Sequence, residues 1–478
     1  MSKFAAQKNK YYLMKQYFRL TSVAFALLLL CVSCLKGSDE TTVTYNDKAI
    51  ASFALTTLKC YHHTTSSTGA DSVYTTSVTG SDYKFNIDQL QHIIYNTDSL
   101  PKGTDIAHVA CNITTVNYGA VVLEGLGNDS LYYLANTSPT DSIDFSQPRK
   151  IRIYSNSGDG YTTYTVSLNI HQEDGETFTW CRMADNDATL TAFTDCRVLS
   201  LDNGIIVAGT DGTSTVFYNP LSQNESARPL LASETGTTFD ADAYANVTVY
   251  DGNLYMLNAG KLMRSLDGTE WEQVSTPNLK RLIGSSTKEL YGISNNNELM
   301  ASKDDGQTWE VEDIDDDSSL LPTEDIAIAY RPYSTNKFVD DVLMGGYRST
   351  ESYPDDKGAL LWRKTADYST LSVAMPWLYI EVAENNIGSF LPRISSLSLF
   401  VYDGKFMAAG ISDGSKVIYS SPDGGLTWKK MTSFMLPIRV TADAPLSITV
   451  DAQNFIWVVQ AKTGQVWRGR LNRLGWGL

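Results

Sequence analysis

Ser302-Lys-Asp-Asp-Gly-Gln-Thr-Trp309 and Ser421-Pro-Asp-Gly-Gly-Leu-Thr-Trp428 are the two passages on which the fold turns. Both read Ser-x-Asp-x-Gly-x-Thr-Trp, and Ser265-Leu-Asp-Gly-Thr-Glu-Trp271 is the same phrase one residue shorter. The residue types state a mechanism. An Asp carboxylate at this place in a turn accepts backbone N–H bonds. Gly supplies a positive φ. Trp has a large apolar ring to pack beneath the turn, tying it to the sheet. The predicted structural set is therefore Ser265, Asp267 and Trp271; Ser302, Asp304, Gly306 and Trp309; and Ser421, Asp423, Gly425 and Trp428.

Working outward, the text before these turns repeats as well. Val249-Tyr-Asp-Gly-Asn-Leu-Tyr-Met-Leu257 and Val401-Tyr-Asp-Gly-Lys-Phe-Met-Ala-Ala409 are nearly the same strand-turn-strand phrase. Val198–Ala208 and Ile448–Val458 are looser copies. Self-similarity in β text at a few tens of residues predicts propeller blades or a solenoid. The Ser-x-Asp-x-Gly-x-Thr-Trp phrase resembles the Asp-box, a repeat of bacterial neuraminidases and of many non-enzymatic propellers. That resemblance implies a propeller in which Asp267, Asp304 and Asp423 are structural, because in that family the box lies on the face away from the ligand. Degenerate copies at Val216-Phe-Tyr218, Ala359-Leu-Leu-Trp362 and Gln465-Val-Trp467 raise the count to six over the 298 residues from Cys181 to Leu478, about 50 each. Six four-stranded blades are expected, with seven as the alternative, and the last copy is expected to close the ring.

Residues 48–175 read differently. Ile151 and Ile153 alternate with polar residues, Ser157-Gly-Asp-Gly160 makes a turn, and Thr162, Tyr164, Val166, Leu168 and Ile170 share one face. This hairpin resembles the last hairpin of immunoglobulin-like β-sandwich modules of bacterial surface proteins. One short helix is expected over Ile87–Ile94, capped by Asn86. The fold class is thus all-β: an immunoglobulin-like sandwich at 48–175, then an Asp-box propeller at 181–478.

The N-terminus reads as an address. From Met14, an alternative start, a basic stretch leads into Val23-Ala-Phe-Ala-Leu-Leu-Leu-Leu-Cys-Val-Ser-Cys34, too short an apolar run to span a bilayer comfortably. It resembles the lipobox of bacterial lipoproteins, with Cys31 where Leu is usual. The resemblance implies a signal peptide at 1–33, lipidation at Cys34, a tether to residue 47, and an anchored protein of the outer membrane, at the cell surface. Ser38-Asp-Glu40 resembles the surface-export signal of Bacteroidota lipoproteins. The chain as a whole resembles a family of Bacteroidota lipoproteins that join such a sandwich to an Asp-box propeller.

Composition narrows the function. The chain carries 38 Lys+Arg against 54 Asp+Glu, a formal net charge of −16. Residues 1–34 hold five bases and no acid, so removing them takes the net charge to about −21. A chain this acidic is repelled by nucleic acid, and no phosphate loop, dinucleotide fingerprint or nucleic-acid module is present; no cofactor is expected. All five histidines precede residue 180, which removes the base of a Ser-His-Asp mechanism and the usual zinc ligands from the propeller. Adjacent His62 and His63 would point to opposite faces of a strand. Cys60, Cys111, Cys181 and Cys196 allow three disulfide connectivities, of which Cys60–Cys111 with Cys181–Cys196 is the local one, or four buried thiols. Glu310–Asp317 reads as a solvated acidic linker in preference to a calcium loop.

Arg197 and Arg281 hold similar places just before inner-strand hairpins, with Arg393 and Arg439 in looser register. Together they form a candidate positive rim for an acidic sugar or carboxylate. The neuraminidase signature itself is missing: Leu391-Pro-Arg-Ile394 has the wrong order, and no Tyr–Glu pair can be placed. The favoured reading is a non-catalytic module whose partners are the membrane, through its lipid, and a glycan or surface protein. The alternative is a sialidase-like glycoside hydrolase.

Overall fold

The computed structural model describes residues 45–476 apart from 66–69, 128, 135–141, 202–203, 222–237, 357, 370–374 and 382–388. The signal stretch and Cys34 lie outside the described residues. The chain is all-β and divides into two units, Met1–His171 and Gln172–Leu478. Among the described residues no helix is long and apolar enough to cross a membrane.

In the first unit a six-stranded mixed sheet shares one core with the antiparallel pair Ile50–Leu55 and Cys111–Thr115. The hairpin of Arg149–Tyr154 and Tyr161–Ser167 lies mid-sheet, with Ile151, Ile153, Tyr164 and Val166 all in the core and Leu168 and Ile170 packed at its edge. No helix forms over Ile87–Ile94. Strands Phe85–Asp88 and Ile93–Asn96 pair there instead. Asp88 Oδ1 accepts the N–H groups of Leu90 and Gln91, each at 2.9 Å, closing a tight turn. Asn86, the expected cap, reaches across the hairpin to the Tyr95 hydroxyl. An Asx turn competes with helix initiation, and β-branched Ile87, Ile93 and Ile94 favour the strand. His62 stacks on Tyr74 with ring centroids 4.8 Å apart, while His63 lies 3.6 Å from Asp71.

No disulfide joins the four cysteines. Cys60 is buried with its thiol on the Lys102 carbonyl, and Cys111 lies on the strand paired with Ile50–Leu55. Cys181 is exposed, whereas Cys196 is buried, and the two are not bonded.

The second unit holds six antiparallel sheets among the described residues. Their first strands are Asp195–Leu201, Val247–Tyr250, Leu279–Ser285, Glu324–Tyr333, Ser395–Tyr402 and Leu446–Val450, numbered here as sheets one to six. These strands lie side by side in that order, and the sixth returns to the first. Side chains stitch the ring. Ser447 accepts from Val198 N, Ser398 from Ile448 N and Asn246 from Leu282 N. The ring is closed by chain ends: Phe178–Ala184 pairs with Gln465–Leu471 as the outer strand of the sixth sheet. That strand begins before Cys181, at Phe178.

A separate apolar core fills each junction between neighbouring sheets, including that of the sixth with the first. Alternation along a strand explains why. Val198 faces the core shared with the sixth sheet, and Leu199 the core shared with the second. Inner strands buried on both faces read as near-continuous apolar runs.

The Ser-x-Asp turns obey their predicted chemistry. Asp304 Oδ1 accepts Thr308 N at 2.9 Å and Oδ2 accepts the Thr308 hydroxyl at 2.6 Å; Asp423 repeats both bonds with Thr427. Ser302 and Ser421 accept the N–H of Gly306 and Gly425, and Trp309 and Trp428 donate to those glycines' carbonyls. The shorter turn keeps the scheme, with Thr269 on Asp267 and Trp271 on Gly268. The Trp rings do more than tie each turn to its own sheet: they dock on the preceding one. Trp271 packs 4.9 Å from Phe217 of the first sheet, and Trp428 lies in the core between the fourth and fifth. Gly306 has φ +84°, and a Cβ there would stand 2.2 Å from Leu262 of the second sheet. Close approach to the neighbouring sheet, as well as the turn, thus requires glycine at that position.

Candidate functional site at the arginine end of the channel

The six first strands enclose a cavity of about 470 Å³. Antiparallel pairing fixes what stands at each end. Leu279 pairs with Ser294, whereas Leu290 pairs with both Ser285 and Ser302. Arg281 is therefore at one end of the third sheet and the Ser302 turn at the other.

Arg197 and Arg281 both line the cavity at the first of these ends. Arg197 donates to the Ala245 carbonyl and Arg281 to the Thr323 carbonyl, each at 3.0 Å. Among the described residues neither guanidinium forms an ion pair with a carboxylate. Burial, with the like charge of Arg281 added to it, pushes the Arg197 guanidinium down to about 10. Sequence reasoning missed three polar neighbours. Tyr244 donates to Asp195 Oδ2 at 2.9 Å. Asp325 also lines the cavity, and its φ of +48° is strained for a non-glycine residue, as is the +52° of Ser396 beside it. Burial raises the Asp325 carboxyl above the usual range; Asp195 and Glu324 add to the rise, against the Ser396 N–H and Arg393. Nothing in their local sequence marks these residues, because they are gathered from different sheets.

Arg393 and Arg439 do not line this cavity, although Arg393 acts on Asp325 electrostatically. Arg393 pairs with Glu324 at 2.8 Å, donates to the Arg348 carbonyl and covers the Tyr347 ring. Arg439 is exposed and lines neither this cavity nor the cleft beside it. Four rim arginines thus reduce to two at the channel.

A second cleft, of about 680 Å³, opens at the same end between the third and fourth sheets. Arg281, Ala245 and Ile326 line both spaces. Lys280, Arg348 and Tyr353 stand further out. The Arg348 guanidinium is held by Asp356 and lies 3.8 Å over the Tyr353 ring.

Among the described residues, buried charges at the opposite end are paired. Lys364 is buried between Glu289, at 3.0 Å, and Glu312. Tyr291 donates to the same Glu289 oxygen at 2.6 Å, Trp377 to Glu312, and Tyr368 to buried Asp340 at 3.0 Å. Glu312 belongs to the run expected to be a solvated linker. Its carboxylate is instead internal, because Lys364 of the next sheet supplies the countercharge. A Tyr–Glu pair therefore exists, at the end away from the unpaired arginines. No group of three or more metal-ligating side chains occurs among the described residues.

A profile of the DUF6242 beta propeller domain matches residues 174–478, and one of the DUF6242 N-terminal domain, a domain of unknown function, matches 53–168. The chain belongs to the DUF6242 family. Curated proteins include no match to this DUF6242 chain. Solved structures similar to it include YCF48 from Cyanidioschyzon merolae, at 14% identity and TM-score 0.31, covering 61% of this chain and 98% of that one. A Carbohydrate-Active Enzymes Family AA12 protein of Trichoderma reesei matches at 10% identity and TM-score 0.37, covering 63% and 96%.

Proposed function

We propose that this DUF6242 chain is a lipid-anchored protein of the bacterial outer membrane surface, whose channel mouth binds an anionic group of a glycan or protein without catalysing its turnover. The lipobox-like run into Cys34 supports the anchor. The six sheets are read as six blades of an Asp-box propeller, and the first unit as an immunoglobulin-like sandwich. One observation carries the binding site: Arg197 and Arg281 both line the cavity, and among the described residues no carboxylate pairs with either. Half-buried guanidiniums without a countercharge favour an anion from outside. A glycan array probed with residues 35–478 tests the reading. Specific binding to acidic glycans that Arg197→Ala abolishes supports it; binding that survives Arg197→Ala with Arg281→Ala refutes this site.

A second reading, a sialidase-like hydrolase, rests on Asp325, an acid raised by burial that lines the same cavity as Asp195 and Tyr244. Retaining and inverting glycosidases use two carboxyl groups about 5 to 9 Å apart. Release of fluorophore from a fluorogenic sialoside, lost in Asp325→Asn, would favour it over simple binding.

A further inference from the structure

We propose that the ligand is an extended acidic oligosaccharide, which runs from the channel mouth across Arg281 into the cleft between the third and fourth sheets and ends on Tyr353. This rests on the channel-mouth reading above and extends it. Three observations carry it. First, the two spaces are one path: Arg281, Ala245 and Ile326 border both. At about 470 and 680 Å³, each is the size of a site for a small ligand, so together they take a ligand of several units.

Second, the charge of the cleft itself opposes that of the chain. Lys280 and Arg281 line the cleft beside a single carboxylate, Asp242, while Arg348 is neutralised by Asp356. In a chain of net charge −16, a locally basic cleft selects a negatively charged ligand. Third, the remaining groups suit hydroxyls. Asn296, Asn297, Ser318, Ser319 and Thr323 offer amide and hydroxyl side chains. At the outer end the Tyr353 ring is 42% exposed, backed on one face by the Arg348 guanidinium. A ring held flat in this way presents its other face to a sugar ring.

The experiment is a ligand-observed NMR titration of the purified chain with oligogalacturonates of one, two, four and six residues, beside hexaglutamate and a neutral hexasaccharide. Affinity should rise at least tenfold from one residue to four. Tyr353→Ala and Lys280→Ser, both at exposed positions, should remove most of that gain and leave the single uronate unaffected. Arg197→Ala should weaken every length. Equal affinity for one residue and four overturns the extended path while leaving the channel mouth intact, as does a gain that survives both substitutions. Hexaglutamate bound as tightly through Tyr353 overturns the saccharide assignment. Binding of no uronate by folded protein overturns the channel reading together with this one.

Discussion

The two ends of the propeller channel treat charge in opposite ways. At the Ser-x-Asp end Lys364 has two carboxylates and buried Asp340 a tyrosine hydroxyl and a backbone N–H, while exposed Asp304 and half-buried Asp423 are held by their own turns. At the arginine end Arg348 and Arg393 have carboxylate partners, but among the described residues Arg197 and Arg281 form no ion pair, and Asp325 sits in strained backbone. Paired charges join neighbouring sheets and are part of folding. Unpaired ones weaken folding and leave interaction free for a ligand. Stability and binding are thereby separated along one axis of the molecule.

Substitutions can break that contrast. The largest effect is expected at the paired end. Lys364→Met leaves Glu289 and Glu312 buried without their cation and should cost about 3–5 kcal/mol in chemical denaturation. A loss below about 1 kcal/mol would mean that the pairing there is not structural. Trp428→Ala should cost a similar amount, about 3–5 kcal/mol, because the ring fills the junction of the fourth and fifth sheets. Asp423→Ala should cost less, about 1–2 kcal/mol, by removing bonds to an ionised acceptor. Its carboxyl is pushed up by burial but held lower overall by Thr427 and Ser421. That stabilisation is present above the ordinary Asp range and is lost as pH falls through the depressed value.

At the other end, Arg197→Met should change stability by no more than about 1 kcal/mol, since it loses a hydrogen bond to the Ala245 carbonyl but no ion pair. A cost matching that of Lys364→Met would erase the distinction between the ends. The smallest effect concerns pH. The Asp325 carboxyl is raised, so it takes up a proton at a higher pH than an ordinary Asp and then ceases to repel an anion near Arg197 and Arg281. Anion affinity should rise as pH falls through that raised value, and Asp325→Asn should flatten the profile. A profile unchanged in Asp325→Asn would remove this residue from the site, around which Asp195, Glu324 and Tyr244 are the other ionisable side chains.

Legibility followed the range of the interactions. The Ser-x-Asp turns could be read from eight consecutive letters because their hydrogen bonds close within those letters. The hairpin at Ile151–Val166 was legible because its alternation is local. The Ile87–Ile94 segment misled, since helix spacing and a two-strand hairpin share its apolar pattern, and only the bonds of Asp88 separate them. Reading place along the chain singled out Arg197 and Arg281, which lie within the first strands of their sheets and line one cavity, yet gave no sign that Arg393 pairs with Glu324, 69 residues away in sequence.

By itself, the sequence determined that this protein is a β-repeat chain, what each turn does, and how acidic the surface is, because those depend on residue type and short spacing. Tertiary structure decided the rest. It chose which sheet each Trp docks against and brought the strand at Phe178 to the one ending at Leu471. It buried Glu312 beside Lys364, and it set two arginines of different sheets across a shared cavity. Each of those contacts joins residues distant in the chain, and their energies arise only when the ring of sheets has excluded water from between them.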